Sequence, residues 1–105
     1  MNDAASPLRI SRSSAGLVLS GEIDGSTAPM LSTALTGLLN EFGDVSVEMN
    51  DVVFIDSSGL RALIEAHQSA ERSQKRLTIM NPSSVVSRLF ELSGLSREFN
   101  VSQRT

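Results

Sequence analysis

Short apolar runs alternate with longer stretches of helical periodicity along the 105 residues, and this order most constrains the fold. The first two runs, residues 8–10 and 17–19, are separated by a segment rich in serine and glycine. This pattern predicts an antiparallel hairpin with a loose turn. The helices and strands that follow alternate, as in parallel strands joined by helical crossovers. The sequence therefore predicts an α/β fold with one mixed β-sheet, in the order β-β-α-β-α-β-α.

The first predicted helix begins at Ser26 or Thr27 as N-cap and ends at Gly43 as C-terminal cap. Its apolar stripe consists of Leu31, Leu35, Leu38, Leu39 and Phe42. Alternation at residues 45–49 predicts a half-buried strand. The continuous run 52–55 is interpreted as a buried segment that places Asp56 at its end.

The second predicted helix starts at Ser57 or Ser58, and a third opens after Asn81-Pro82-Ser83 and ends at Gly94. The apolar face of the second helix consists of Leu60, Leu63, Ile64, His67 and Ala70. Arg61–Glu65 and Glu71–Lys75 are predicted charge pairs four residues apart. Residues 77–80 and 99–101 are predicted strands, and the apolar side of the third helix consists of Val85, Val86, Leu89, Phe90 and Leu92.

Composition narrows the class of protein. The length predicts a single domain over residues 1–105, with residues 1–6 as a flexible N-terminus. The net charge of −3 and the scattered basic residues argue against nucleic-acid binding. No apolar stretch is long enough to cross a membrane, and no leader pattern is visible, so we expect no direct membrane contact. The absence of cysteine fits the cytoplasm.

Two loops combine carboxylates, hydroxyls and glycine at places where strands are predicted to give way to helices: residues 22–27 and 56–59. Functional loops of open α/β sheets lie at such positions. By itself, Asp56-Ser57-Ser58-Gly59 is explained by helix capping. However, three residues able to cap stand in a row where one is enough, so a further role is expected for this loop.

Catalysis by this chain is not expected. His67, the only histidine, follows Ser57 by ten residues on the same predicted helix, so the two side chains lie about 15 Å apart. No Gly-x-Ser-x-Gly elbow, phosphate loop or dinucleotide fingerprint is present. We therefore predict no catalytic residue, no cofactor and no metal site, and we interpret His67 as a packed structural residue.

Three runs, in this order, resemble the STAS domains, and within them the bacterial anti-sigma factor antagonists. The runs are Gly21-Glu22-Ile23-Asp24, Phe54-Ile55-Asp56-Ser57-Ser58-Gly59-Leu60, and Arg88-Leu89-Phe90 followed by Ser93-Gly94-Leu95. The resemblance covers nearly the whole chain and implies a single STAS-like domain.

The resemblance implies a partner switch. The unmodified antagonist binds an anti-sigma factor that is also a serine kinase, and so releases a sigma factor. Phosphorylation of Ser57, with Ser58 as the alternative acceptor, dissociates the complex, and a serine/threonine phosphatase reverses the mark. ATP and Mg²⁺ belong to the kinase. The partner-binding residues predicted for this chain are Glu22, Asp24, Ser26, Asp56, Ser57, Ser58, Gly59 and Arg61.

Two further implications qualify this prediction. Arg61 stands where many family members carry a small residue, which affects the choice of partner but not the acceptor. Some STAS domains do not switch, so the alternative function is a scaffold subunit of a transport or stress-signalling complex.

Overall fold

The computed structural model describes residues 7–14 and 16–103, and the predicted flexible segment 1–6 lies outside the described residues. The described chain forms strands and helices in the order β1 (Leu8–Ser13), β2 (Gly16–Ile23), α1 (Ala28–Glu41), β3 (Val45–Ile55), α2 (Ser57–Arg72), β4 (Leu77–Met80), α3 (Ser84–Leu92) and β5 (Asn100–Ser102).

One five-stranded sheet carries all of these strands, and their order in the sheet equals their order in the chain. β1 and β2 pair antiparallel, whereas β2–β3, β3–β4 and β4–β5 pair parallel. Each parallel connection contains one helix. The predicted mixed sheet, with a leading hairpin and helical crossovers, is therefore confirmed.

The core is a single cluster of buried apolar side chains from the sheet and the three helices. Helix α1 packs against α2, and α3 contacts β3. The backbone N–H of Ser83 donates to the Met49 carbonyl at 3.1 Å, and the Ser83 hydroxyl donates to the Val52 carbonyl at 2.6 Å. These bonds attach the start of α3 to the middle of β3.

The interpretation of run 52–55 as a buried segment is wrong for half of its residues. Residues 45–55 form one strand, in which Val53 is 64% exposed and Phe54 45% exposed, while Val52 and Ile55 are buried. β4 pairs only with residues 45–48 of β3. The last residues of β3 therefore extend beyond β4 and pair only with β2, where the register shifts at Val53. Val53 and Phe54 reach solvent, whereas Ile55 stays buried.

Two other local predictions also need correction. Helix α1 ends with Phe42 as its C-cap in an extended conformation, and Gly43 does not adopt a positive φ. The predicted ion pairs of α2 do not form within the described residues: Glu71 pairs with His67, and Lys75 donates to the Leu39 carbonyl. Gly94, at φ 73°, follows the end of α3 as predicted.

Helix α3 exposes part of its predicted apolar side. Val86 and Phe90 are buried, but Val85 is 40% and Leu92 73% exposed. The helix spans only Ser84–Leu92, and these two side chains lie outside its contact with the core. Within the described chain, no helix is long and apolar enough to span a membrane.

Candidate functional site

The two loops predicted to carry function lie side by side. Ile23 and Ile55 are paired at the ends of the parallel strands β2 and β3, so Asp24 and Asp56 follow at the same edge of the sheet. The backbone N–H of Asp56 donates to the Ile23 carbonyl at 3.1 Å, which joins the two loops directly. The register of one strand pair thus brings together Asp24 and Asp56, which are far apart in the sequence.

Asp56 is the N-cap of α2. Its backbone is extended, and its Oδ1 accepts hydrogen bonds from the N–H groups of Ser58 at 2.9 Å and Gly59 at 3.2 Å. These bonds satisfy two N–H groups that have no partner within the helix. The capping function expected for this loop is therefore carried out by the aspartate, and neither serine hydroxyl is needed for it.

Ser57 and Ser58 differ in exposure. Ser57, the first residue of α2, is exposed, and its hydroxyl makes no hydrogen bond to any part of the chain that the structure describes. Ser58 is half-buried and faces the other loop, where a Cβ built on Gly25 would lie 3.6 Å from the Ser58 Oγ. Of the two serines, Ser57 therefore presents the more accessible nucleophile to an incoming enzyme.

Asp24 organises the loop between β2 and α1. Its Oδ1 accepts from the Ser26 hydroxyl at 2.8 Å, the Ser26 N–H at 2.9 Å and the Thr27 N–H at 3.2 Å. The hydrogen bond from the Ser26 hydroxyl is the main cause that holds the pKa of Asp24 below its ordinary value of 3.8. Desolvation opposes it, and the backbone N–H groups of Ser26 and Thr27 add to the lowering. The carboxylate therefore stays charged throughout the neutral range.

Thr27 is a residue that the sequence identified only as a possible cap. It is the N-cap of α1 by position, but its side chain makes no capping bond. Its buried hydroxyl donates to the Glu22 carbonyl at 3.1 Å and accepts from the Asp24 N–H at 2.9 Å. The buried Thr27 hydroxyl thus holds the backbone of residues 22–24 in place. This role could be identified only from the conformation of the loop.

Gly59 allows α2 to approach the sheet. A Cβ at this position would lie 2.6 Å from Ile23 Cγ2 and 2.9 Å from Ile55 Cγ1. Real Cβ atoms do not come so close, so only glycine lets the first turn of α2 pack on the ends of β2 and β3. This contact holds Ser57 and Ser58 next to the loop of Asp24.

The remaining predicted residues lie on the same surface. Glu22, Ser26 and Arg61 are exposed, with Glu22 paired to Phe54 across the sheet and Arg61 one helical turn after Ser57. The structure thus brings the predicted set together at one edge. It adds exposed Val53 and Phe54, which the sequence analysis had placed in the interior.

Two further features concern metal ligands and the histidine. Within ranges 7–14 and 16–103, no three His, Asp or Glu side chains are placed to hold a metal ion. His67 is buried, contacts the edge of the Phe99 ring and lies 3.5 Å from Glu71 Oε2, so its interpretation as a packed residue is confirmed.

Comparison with known proteins identifies the family. The family model described as "Mlab, STAS domain" matches residues 6–101. The chain belongs to the STAS domain family. It is similar to the anti-sigma-B factor antagonist of Listeria monocytogenes, with 35% identity over 81 residues, 76% of this chain and 71% of the relative. The resemblance to STAS-domain anti-sigma factor antagonists is therefore confirmed.

Solved structures support the fold. The anti-sigma factor antagonist SpoIIAA in its unphosphorylated form superimposes with a TM-score of 0.74 at 19% identity, covering 93% of this chain and 88% of that chain. The Bacillus cell fate determinant SpoIIAA in the phosphorylated form gives a TM-score of 0.70 at 18% identity, covering 93% and 91%. This STAS-domain chain thus shares their overall architecture.

Proposed function

We propose that this STAS-domain protein is an anti-sigma factor antagonist switched by phosphorylation of Ser57. In the unmodified state it binds an anti-sigma factor that is also a serine kinase, and a sigma factor is released. The observation that carries the proposal is the exposed Ser57 hydroxyl, free of hydrogen bonds within the described chain, at the capped start of α2. The similarity to curated anti-sigma-B factor antagonists supports it.

The docking surface proposed for the kinase is the edge formed by both loops and the first turns of α2. Its members are Glu22, Asp24, Ser26, Asp56, Ser57, Ser58, Gly59 and Arg61. The hydrogen bonds of Asp24 and Asp56 give this surface a fixed shape before a partner arrives. Gly59 is buried and acts by letting the helix approach the sheet.

The chemistry of the switch follows from charge. The kinase transfers the terminal phosphoryl group of its Mg²⁺-bound ATP to Ser57 Oγ, ADP leaves, and a base of the kinase accepts the hydroxyl proton. The phosphate adds about −1.5 to −2 charges at neutral pH. Beside the Asp24 and Asp56 side chains, this added charge makes the edge strongly negative. A charged phosphate is also costly to remove from water at an interface, so the complex dissociates. A serine/threonine phosphatase restores the hydroxyl by hydrolysis.

A binding experiment tests this function. The anti-sigma factor from the same cell is titrated with the wild-type chain and with the variants Ser57→Ala and Ser57→Asp by isothermal titration calorimetry. We expect Ser57→Ala to bind like wild type, and Ser57→Asp to bind at least about tenfold more weakly, or ~1.4 kcal/mol. Equal affinities for the two variants would contradict a switch at Ser57.

Phosphorylation itself is measured by mass spectrometry after incubation with ATP, Mg²⁺ and the kinase, using Ser57→Ala and Ser58→Ala as a matched pair. We expect the phosphate to be lost in the first variant and retained in the second. If the phosphate is retained in Ser57→Ala but lost in Ser58→Ala, the acceptor is Ser58 and the proposal for Ser57 is wrong.

The rival function is a non-switching STAS scaffold subunit of a transport or stress-signalling complex. A pull-down from cell extract separates the two functions. An anti-sigma kinase recovered with wild type but not with Ser57→Asp supports the antagonist. A transport component that is recovered equally with both supports the scaffold.

A further inference from the structure

Arg61 lies next to the proposed acceptor on the same helix. Ser57 and Arg61 are four residues apart in α2, a spacing at which side chains are neighbours on the helix surface. Both side chains line one shallow hollow on the outside of the helix, together with Leu60, Ile64, Glu65 and Gln68. A group attached to Ser57 Oγ is therefore attached at a hollow that Arg61 also lines.

The guanidinium of Arg61 has no partner among residues 7–14 and 16–103. Its side chain is exposed and makes no ion pair or hydrogen bond within the described chain, including with Glu65, its predicted partner one turn further on. By contrast, Arg12, another exposed arginine, pairs with Glu41 at 3.2 Å. Among the described residues, a guanidinium without a partner thus lies one helical turn after Ser57, whose hydroxyl is exposed and without a hydrogen bond.

We propose that Arg61 is the intramolecular counter-ion of a phosphate on Ser57. This inference rests on the proposed function for the presence of the phosphate. A guanidinium matches two phosphate oxygens with parallel N–H donors, and such charge-assisted bonds are stronger than neutral ones. The phosphorylated form thus engages Arg61 in cis and withdraws its positive charge from the docking surface.

The surrounding charges act in the opposite direction. Asp24 and Asp56 lie in the adjoining loops, and Glu65 borders the same hollow. These carboxylates disfavour the dianionic phosphate, whereas the helix N-terminus and Arg61 favour it. A substitution at position 61 leaves the carboxylates and the helix unchanged. The effect of Arg61 on the phosphate pKa is therefore the difference between the wild-type chain and a variant at position 61.

The experiment measures the second pKa of the phosphate. Phosphoserine is incorporated at position 57 during translation, and its ³¹P resonance is followed from pH 4 to pH 8 in wild type, Arg61→Gln, Arg61→Lys and Arg72→Gln. An i,i+4 ion pair corresponds to a pKa shift of about 0.3 unit. We therefore expect the phosphate pKa to rise by about that amount or more in Arg61→Gln and by much less in Arg61→Lys.

Arg72→Gln is the matched control, since it removes the same charge from another exposed position of the same helix. It lies about 22 Å from Ser57 along the axis, beyond the screening length, so no shift is expected. Equal phosphate pKa values in wild type and Arg61→Gln overturn the proposal, and so does a rise of the same size in Arg72→Gln.

A second readout needs no substitution at position 61. Engagement of the guanidinium shifts the Arg61 Nε–H resonance between the serine and phosphoserine forms, and an unchanged resonance also overturns the proposal. Both measurements start from phosphoserine placed by translation. Their outcome is therefore independent of whether a cellular kinase modifies Ser57, and failure of the proposed function is distinguished from failure of this inference.

Discussion

At the scale of single residues, the residues at the start of α2 have different roles: Asp56 caps the helix, and Ser57 does not. The Asp56 carboxylate holds the helix through bonds to two backbone N–H groups. The Ser57 hydroxyl is left without a structural task within the described chain. A residue that carries a reversible modification benefits from this arrangement, since the fold does not depend on the group that is modified.

This division predicts different stabilities for two alanine variants. We expect Asp56→Ala to lower the free energy of unfolding by about 1 kcal/mol, because a helix N-cap is lost. Ser57→Ala is expected to change it by less than about 0.5 kcal/mol, as for exposed sites without special contacts. Urea denaturation of both variants measures the difference. A loss in Ser57→Ala as large as that in Asp56→Ala would show that the serine hydroxyl also caps the helix.

The sequence predicted which residues stand at the start of α2, but not which of them caps the helix. Asp56, Ser57 and Ser58 are all able to cap, and the choice depends on which residue adopts the extended backbone just before the helix. That residue is Asp56, at φ −113° and ψ −170°. The preceding strand determines where the extended conformation ends, so local composition alone did not distinguish the three.

At the scale of helices and strands, two glycines within helices have opposite consequences. Gly59 packs against Ile23 and Ile55 with no space for a Cβ, whereas a Cβ on Gly37, in α1, would meet nothing within 4 Å. Gly37 is also exposed. The sequence marks both simply as residues of low helix propensity, because the space around each depends on neighbouring elements.

The two alanine variants are therefore expected to change stability in opposite directions. Gly59→Ala introduces overpacking, which costs about 1–3 kcal/mol of unfolding free energy. Gly37→Ala is expected to add up to about 1 kcal/mol, since alanine is the better helix former. Thermal and urea denaturation, with circular dichroism to confirm the fold, measure both changes. Stabilisation by Gly59→Ala would contradict the close approach of α2 to the sheet.

Strand periodicity predicted the first half of β3 and failed in the second half. Alternation identified Val45, Val47 and Met49 as buried, and they are. The run 52–55 is uniformly apolar, so it carries no alternation from which to predict the exposed side. The β2–β3 register shifts between Gly21 and Glu22, which pair with Val52 and Phe54, so Val53 is an extra residue that interrupts the alternation. Val53 and Phe54 are both exposed as a result, and this irregularity depends on the partner strand.

At the scale of the whole molecule, the order of elements was enough to predict a mixed sheet, and its strands lie in chain order. The C-terminal part is joined to the helices by aromatic contacts that no local pattern predicted. Phe99 stacks on Phe90 of α3 with centroids 4.7 Å apart and meets the His67 ring of α2 at 5.5 Å. One side chain thus links α2, α3 and the approach to β5.

Truncation of this side chain should destabilise the fold far more than truncation of an exposed phenylalanine. We expect Phe99→Ala, at a site 6% exposed, to lower the unfolding free energy by about 3 kcal/mol or more. Phe54, at 45% exposed, is the matched control, and Phe54→Ala is expected to cost less than about 1.5 kcal/mol. Chemical denaturation measures both, and equal losses would contradict a linking role for Phe99.

The hydrogen bond from the Asp56 N–H to the Ile23 carbonyl has a consequence for recognition. It joins the two loops during folding, so the conformational entropy lost in ordering them is part of the folding free energy. The loops therefore lose little further entropy when a partner docks on this edge. A larger share of the contact energy then contributes to affinity. The same bond fixes the backbone just before Ser57, so the attachment point of a charge added at Ser57 does not move with a mobile loop.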